Sequence, residues 1–256
     1  MDIILLSAGK GERLLPLTKN TPKCLLEISD GITLLESQLT SFSRNSSIGQ
    51  IIIILGYLAE QIESKIPSYL RYIDVDVKTI YNPFYDVSNN FMSLWCALPF
   101  MNNDFAVING DDVFHSSVID QIIQQENNIC MVIDKKEKYE PEDMKVKIKG
   151  SCIIQVGKDI DKEDADGESI GMIRFRNQGA KQLKNSIKKM ARQPESKDIF
   201  WLAAVQDLIN RGFEVRYIEI PKDKWSEVDL HPDLKYVREK VFHYIPKTIF
   251  GDNSGK

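Results

Sequence analysis

Residues Leu6 to Lys23 read Leu-Ser-Ala-Gly-Lys-Gly-Glu-Arg-Leu-Leu-Pro-Leu-Thr-Lys-Asn-Thr-Pro-Lys, directly behind the apolar start Ile3-Ile4-Leu5. Ile3 to Leu6 predicts a buried first strand. Gly9 and Gly11 let the backbone approach a ligand closely and take up positive φ where needed. Backbone N–H groups in such a turn form a concavity for phosphate oxygens. Arg13 and Lys23 add two cations, and Arg13 offers a planar fork of donors. Strand, glycine turn and cations, in that order, suit the binding and neutralisation of a polyphosphate.

Two common phosphate loops do not fit. A Walker A loop needs Lys and then Ser or Thr after its second glycine, and Gly11 is followed by Glu12. A dinucleotide fingerprint needs a third Gly or Ala where Leu14 stands. The full run instead resembles the signature of the nucleotidyltransferases that activate sugar phosphates and choline phosphate. Ala8, Gly9, Gly11, Arg13, Pro16, Leu17, Thr18, Pro22 and Lys23 carry that resemblance.

The rest of the chain has the periodicity of an α/β protein. Thr33 and Glu36 offer a capping box to a helix from about Leu34 to Arg44. Gln50 to Leu55 predicts a strand closed by Gly56-Tyr57, and Leu58 to Ile66 a helix that stops before Pro67. Val75 to Tyr81 and Asp104 to Asn109 predict strands. Ser88 or Asn89 would cap a helix through Ala97. Such alternation predicts a mostly parallel sheet with helices on both faces, a Rossmann-like arrangement. Ligands then sit beyond the C-terminal strand ends, where Gly9, Gly56, Asn89 and Asp111 emerge. In the second half, Asn128 to Asp134 predicts a strand, and residues 135–143 a charged linker. Residues 144–157 predict a hairpin turning at Gly150. Residues 159–167 are polar and expected at the surface. Ser169 to Phe175 and Val215 to Ile220 predict strands. Gly179 to Arg192, Ile199 to Arg211 and Asp233 to Tyr244 predict helices. The resemblance implies a nucleotide-diphospho-sugar transferase type of fold with a small β-rich, acceptor-binding insertion. One domain over 1–240 is expected, with a nucleotide half (1–115), an acceptor half (116–240) and a C-terminal extension (241–256).

Nucleotidyl transfer brings two anions together and releases pyrophosphate, so it rests on alignment and charge neutralisation. Mg²⁺ takes a few carboxylates, waters and phosphate oxygens. Asp111 follows an apolar strand and a glycine and should face the ligand edge; Asp112 should point elsewhere. In Trp225-Ser226-Glu227-Val228-Asp229, Glu227 and Asp229 share one face. The resemblance implies that Asp111 and Asp229 hold Mg²⁺, that Arg13 binds the β and γ phosphates, and that Lys23 holds the α-phosphate under attack. Arg13 and Lys23 are thereby the expected catalytic cations, with no general base required.

Within that superfamily the chain is similar to small cytidylyltransferases for choline phosphate and aminoethylphosphonate. Residues 81–94, rich in asparagine, carry the choline-phosphate likeness, and the short run Asp143-Met144-Lys145-Val146 resembles the aminoethylphosphonate type. It implies a nucleotide site of Leu6, Ser7, Ala8, Gly9, Gly11, Glu12 and Arg13, with Gly56, Tyr57, Asn89, Asn90 and Ser93 around the base. An asparagine amide matches a cytosine edge, although Asn-Asn is also an ordinary helix cap. The expected acceptor residues are Lys23, Asp143, Lys145, Glu168 and Gly171; the alternative is a charged hairpin face in solvent. A choline cage would draw on Tyr139, Phe175, Trp201 and Trp225. The expected reaction is Mg²⁺-dependent transfer from CTP to a small anionic acceptor. A sugar-1-phosphate nucleotidyltransferase using UTP, dTTP or GTP, or a catalytically silent regulatory subunit, are the alternatives.

The net charge of −4 gives no global pull toward nucleic acid or an anionic membrane. No apolar stretch has the roughly 20 residues that span a bilayer, and the first residues lack the basic region of a signal peptide. Cys24, Cys96, Cys130 and Cys152 form no metal spacing, which suits reduced thiols in the cytoplasm. His231 is expected to be hydrogen-bonded or solvated. A homo-oligomer is compatible with all of this.

Overall fold

The computed structural model describes residues 1–29, 31–102 and 104–241. It opens with β1 (Asp2–Ser7), whose Ile3 and Leu5 turn to one sheet face while Ile4 and Leu6 turn to the other. The phosphate-type loop follows. A short pair, β2 (Glu27–Ser29) and β3 (Ile32–Thr33), then leads into α1 (Leu34–Ser43). The expected capping box is formed: Thr33 Oγ1 accepts from the Glu36 N–H at 3.2 Å, and the Glu36 carboxylate accepts from the Thr33 N–H at 3.4 Å.

Next come β4 (Gln50–Leu55), α2 (Ala59–Tyr69), β5 (Asp76–Tyr81), α3 (Asn90–Cys96) and β6 (Phe105–Asn109). Here α2 runs through Pro67, contrary to the sequence expectation. Proline removes only the bond to the Glu63 carbonyl. The last turn is held instead by Tyr69, buried at 5 % exposure, whose hydroxyl meets Thr33 Oγ1 at 2.8 Å.

The second half adds β7 (Asp112–Phe114), α4 (Ser116–Gln124), β8 (Ile129–Asp134), β9 (Lys145–Lys149), β10 (Cys152–Gly157) and β11 (Gly167–Phe175). It continues with α5 (Asn177–Met190), α6 (Leu202–Asn210), β12 (Val215–Glu219), β13 (Trp225–Glu227) and α7 (His231–Tyr236). The final helix is shorter than expected. It passes into a π-turn at Val237–Val241, and the expected continuation to Tyr244 lies outside the described residues.

Nine strands form one sheet in the order β5-β4-β1-β6-β11-β8-β12-β10-β9. The β5-β4-β1-β6 side is parallel throughout. Parallel pairing is interrupted at β11 and returns only between β8 and β12. Strand β11 runs antiparallel to both β6 and β8, and the β9–β10 hairpin adds antiparallel strands at the far edge. The architecture is a mixed sheet, and the hairpin continues it through β10 and β12.

Two apolar layers cover the faces. Ile3, Ile51 and Ala106 pack with Leu39 of α1 and Ile62 of α2; Ile4, Ile52 and Val107 pack with Phe91 of α3 and Leu183 of α5. Truncating a fully buried aromatic such as Phe42 or Phe91 to Ala would cost about 3–5 kcal/mol. A third cluster joins Leu14, Leu34, Val113, Val228, Leu234 and Val237. It ties the glycine loop, β7 and the chain after β13 into one unit beside the parallel strand ends. Among the described residues, no helix is long and apolar enough to cross a membrane.

Candidate active site

A cleft of about 1310 Å³ opens beyond the C-terminal ends of β1 and β6. Its floor is the residues that leave those two strands. Gly11 has φ of 65°, in the left-handed region, and a Cβ there would lie 3.1 Å from Lys23 Cβ and from Thr18 Cγ2. The Thr18 hydroxyl donates to the Gly11 carbonyl at 2.8 Å and closes the loop. At Gly110 a Cβ would lie 2.1 Å from Ser7 Oγ and 2.6 Å from the Leu6 carbonyl. Only glycine lets the β1 and β6 ends meet this closely. The Gln38 amide, from α1, donates to the carbonyls of Asn109 (3.2 Å) and Asp112 (2.9 Å) and braces the turn that carries Asp111.

Asp229 is brought to Asp111 by a short ladder. Strand β13 pairs antiparallel with β7, setting Glu227 opposite Asp112, and the Val228 N–H donates to the Asp111 carbonyl at 2.9 Å. One carboxylate oxygen from each of Asp111, Glu227 and Asp229 then lies within 4.8 Å of the others. Three hard oxygen donors at this spacing suit Mg²⁺. Lys23 lies between two of them, its Nζ 2.8 Å from Asp111 and 3.0 Å from Asp229. Arg13 donates to Asp229 and, at 3.1 Å, to Glu142. Lys10, whose role the sequence did not reveal, pairs with Asp86, and both line the cleft.

The electrostatics follow from this crowding. Burial works against the Lys23 ammonium, but Asp111 and Asp229 outweigh it and raise its pKa. Burial likewise works to raise Asp229, but Lys23 and Arg13 outweigh it and hold its carboxyl below the ordinary range. Desolvation by the crowded cleft lining and the charge of Asp111 push Glu227 upward, although its side chain stays open to solvent. Asp112 is fully buried, with no partner on Oδ2, and burial followed by Asp111 raises it well above the carboxylate range. It faces the interior, as expected for the second aspartate.

The other expected site residues divide. Leu6, Ser7, Ala8, Gly9, Gly11, Glu12, Arg13, Lys23, Asn89, Asn90, Ser93, Asp111, Asp143, Glu168 and Asp229 all line the cleft. Gly56, Tyr57, Lys145 and Gly171 do not. A Cβ at Gly56 would meet Tyr85 at 2.5 Å and the Ala8 carbonyl at 2.6 Å, so that glycine serves packing behind the loop. The Tyr57 hydroxyl donates to the Lys19 carbonyl. Gly171 sits against the Asn109 side chain, which would meet a Cβ at 2.1 Å.

Lys145 is neither an acceptor ligand nor a solvated hairpin charge. It is 1 % exposed, and its Nζ donates to the carbonyls of Glu140, Pro141 and Asp143 at 3.2–3.3 Å. It therefore shapes the loop that delivers Glu142 and Asp143. Lys136, which the sequence reading passed over, lines the cleft where Lys145 does not. Its Nζ lies 2.6 Å from Glu168 and 3.3 Å from Asp143. Burial pushes Glu168 up to about 7; Lys136 opposes that rise and Asp143 adds to it.

The asparagines are engaged within the protein. Asn89 caps α3 by accepting from the Asn90 N–H at 3.0 Å, and its own N–H donates to the Lys197 carbonyl at 2.6 Å. Asn90 Oδ1 accepts from the Trp201 N–H at 2.8 Å. The four expected cage aromatics do not converge. Phe175 is in the core against Phe105, Tyr139 is off the cleft, and the Trp201 indole donates to Asn109 at 3.0 Å. Trp225 alone lines the cleft without such a bond to Asn109, at 7 % exposure. His231 meets the Leu15 carbonyl at 3.0 Å, as a hydrogen-bonded histidine.

The mixed sheet and the loop at its parallel strand ends define a nucleotidyltransferase fold. The solved inositol-1-phosphate CTP transferase from T. maritima superposes with a TM-score of 0.78 at 20% identity, covering 97% of both chains. The CTP:phosphocholine cytidylyltransferase from Streptococcus pneumoniae does so with 0.72 at 24% identity, over 93% of this chain and 97% of that one. A family model described as nucleotidyl transferase matches residues 2–143, and the chain belongs to that family. The resemblance carried by Ala8 to Lys23 is thus borne out. A CTP:phosphoglutamine cytidylyltransferase from Campylobacter jejuni is 26% identical over 261 residues, spanning 94% of this chain and 100% of that protein. A choline-phosphate cytidylyltransferase from Streptococcus pneumoniae is 36% identical over 107 residues, 42% of this chain and 43% of that protein.

Proposed function

We propose that this chain transfers a cytidylyl group from CTP to a small phosphorylated or phosphonylated acceptor, with Mg²⁺, and releases pyrophosphate. One observation carries the proposal: Lys23, Asp111 and Asp229 meet within 3.0 Å contacts beside the glycine loop. Relatives named as cytidylyltransferases support CTP as the donor.

In this reading Gly9 to Arg13 cradle the triphosphate, with Arg13 on the β and γ phosphates. Lys23 neutralises the α-phosphate, and Asp111 and Asp229, with Glu227, would hold Mg²⁺. When bound, the ion supplies charge neutralisation along the triphosphate. The acceptor's phosphate or phosphonate oxygen attacks the α-phosphorus. The bond from that phosphorus to the bridging oxygen breaks, and its electron pair leaves with pyrophosphate. The attacking oxygen is already ionised near neutral pH, so no side chain must remove a proton. Residues 1–115 would hold the nucleotide, with the cleft-lining Asn89, Asn90 and Ser93 beside its base, and residues 116–240 the acceptor.

Pyrophosphate release with CTP, UTP, ATP, GTP and dTTP tests the donor. Turnover at least tenfold faster with CTP supports the reading, and equal use of all five overturns it.

A further inference from the structure

The acceptor end of the cleft holds a carboxylate that is half satisfied. Glu168 is 3 % exposed and lines the cleft wall. Its Oε2 takes the Lys136 ammonium at 2.6 Å, while its Oε1 is buried with no hydrogen-bond partner. Asp143 takes the same ammonium at 3.3 Å and also acts on the Glu168 carboxyl, so two carboxyl groups share one cation. A buried acceptor atom left without a donor costs about 1–3 kcal/mol, more when it is charged. A ligand that brings a donor to Oε1 recovers that cost.

The Phe200 ring does not suit a quaternary ammonium. Phe200 also lines the cleft, but the Lys158 ammonium lies over its ring, 4.3 Å from the centroid. The ring face is therefore already taken by a cation. A trimethylammonium group has no N–H, so it leaves Glu168 Oε1 unsatisfied, and the Phe200 ring face is already covered by Lys158.

From this geometry we infer that Glu168 is a specificity-determining residue, selecting acceptors whose head group carries N–H donors over those that end in trimethylammonium. The inference rests on the proposed transferase activity and deepens it. The N–H donor is an ammonium or a primary amide, and both classes supply what Oε1 lacks. The ammonium makes the stronger bond, because a charged donor meeting an ionised carboxylate is charge-assisted.

The test measures CTP-dependent pyrophosphate release with acceptors that differ only at the head group. The panel is ethanolamine phosphate, its N,N,N-trimethyl form (choline phosphate), and the phosphate ester of glycolamide as the amide arm. Wild type is expected to give kcat/KM at least about tenfold higher for ethanolamine phosphate than for choline phosphate, the size of one charge-assisted hydrogen bond. The amide should fall between them. Glu168→Gln should narrow the gap between ammonium and trimethylammonium to less than about threefold, through KM for the acceptor, with KM for CTP unchanged. Equal or better use of choline phosphate by wild type overturns the inference, as does an unaltered ratio in Glu168→Gln. If that variant does not fold, the wild-type ratio decides alone. Failure to release pyrophosphate from CTP with any acceptor would instead overturn the transferase reading and take the inference with it.

Discussion

Two glycines of the cleft floor should answer oppositely to the same added methyl group. A Cβ at Gly110 would lie 2.1 Å from Ser7 Oγ, 2.6 Å from the Leu6 carbonyl and 3.0 Å from Ser7 Cα. The hydroxyl can rotate away, but the carbonyl and Cα belong to β1 and cannot move without the sheet. Gly110→Ala is therefore an overpacking substitution worth about 2–3 kcal/mol of lost stability. In a chain of 256 residues that lowers Tm by about 5–10 °C. The shift also moves Asp111, so activity should fall about 100-fold in the protein that remains folded. At Gly9 a Cβ meets nothing within 4 Å. Gly9→Ala should leave stability within about 0.5 kcal/mol of wild type. Its methyl group would stand where the triphosphate must lie, so affinity for CTP should drop about tenfold or more. Urea unfolding and calorimetric titration with CTP measure both quantities on both variants. Wild-type CTP affinity in Gly9→Ala would refute the placing of the phosphates on this loop. Wild-type stability in Gly110→Ala would refute the close meeting of β1 and β6.

Two other outcomes follow from buried charges. Lys145→Met removes the donor from three loop carbonyls, so stability should fall by about 1–3 kcal/mol, and KM for the acceptor should rise while KM for CTP holds; steady-state kinetics with each substrate varied check this. Glu168 is raised from 4.5 to about 7 in the folded chain, so the folded state binds the extra proton between those values. Stability from this group is present below pH 4.5 and lost as pH rises to 7, by up to about 3 kcal/mol. Glu168→Gln cannot titrate, so urea midpoints of wild type should decline relative to the variant from pH 5 to 7; parallel curves would contradict the assignment.

Much of the fold is legible in short-range pattern. The run Gln50–Leu55 is a strand because its isoleucines fill both faces of a covered sheet, and Thr33 with Glu36 starts α1 as the capping box requires. The phosphate loop, Asp111 and Asp229 are legible because their chemistry is local to each motif. What was not legible depends on distant partners. The alternating charges of Lys145, Lys147 and Lys149 suggest a solvated edge. Lys145 is interior because β11 pairs with β9 and sets Glu168 beside it. Pro67 marks a helix end by backbone rules, but the anchoring of Tyr69 on Thr33 carries α2 past it. Lys136 lay in a charged linker with no periodic signal, and only the loop held by Lys145 brings Asp143 to it. Strand alternation sets Glu227 on one face with Asp229, but its approach to Asp111 depends on the β7–β13 ladder.

In the proposed reaction the glycine loop and the three carboxylates at the β6 and β13 ends act on the same triphosphate. A crystal grown with CTP and Mn²⁺, with anomalous scattering recorded at the manganese edge, examines it directly. The account predicts a manganese peak coordinated by Asp111 and Asp229, with the phosphates lying over Gly9 to Arg13. A peak away from both aspartates, or a triphosphate directed away from Arg13 and Lys23, would contradict it.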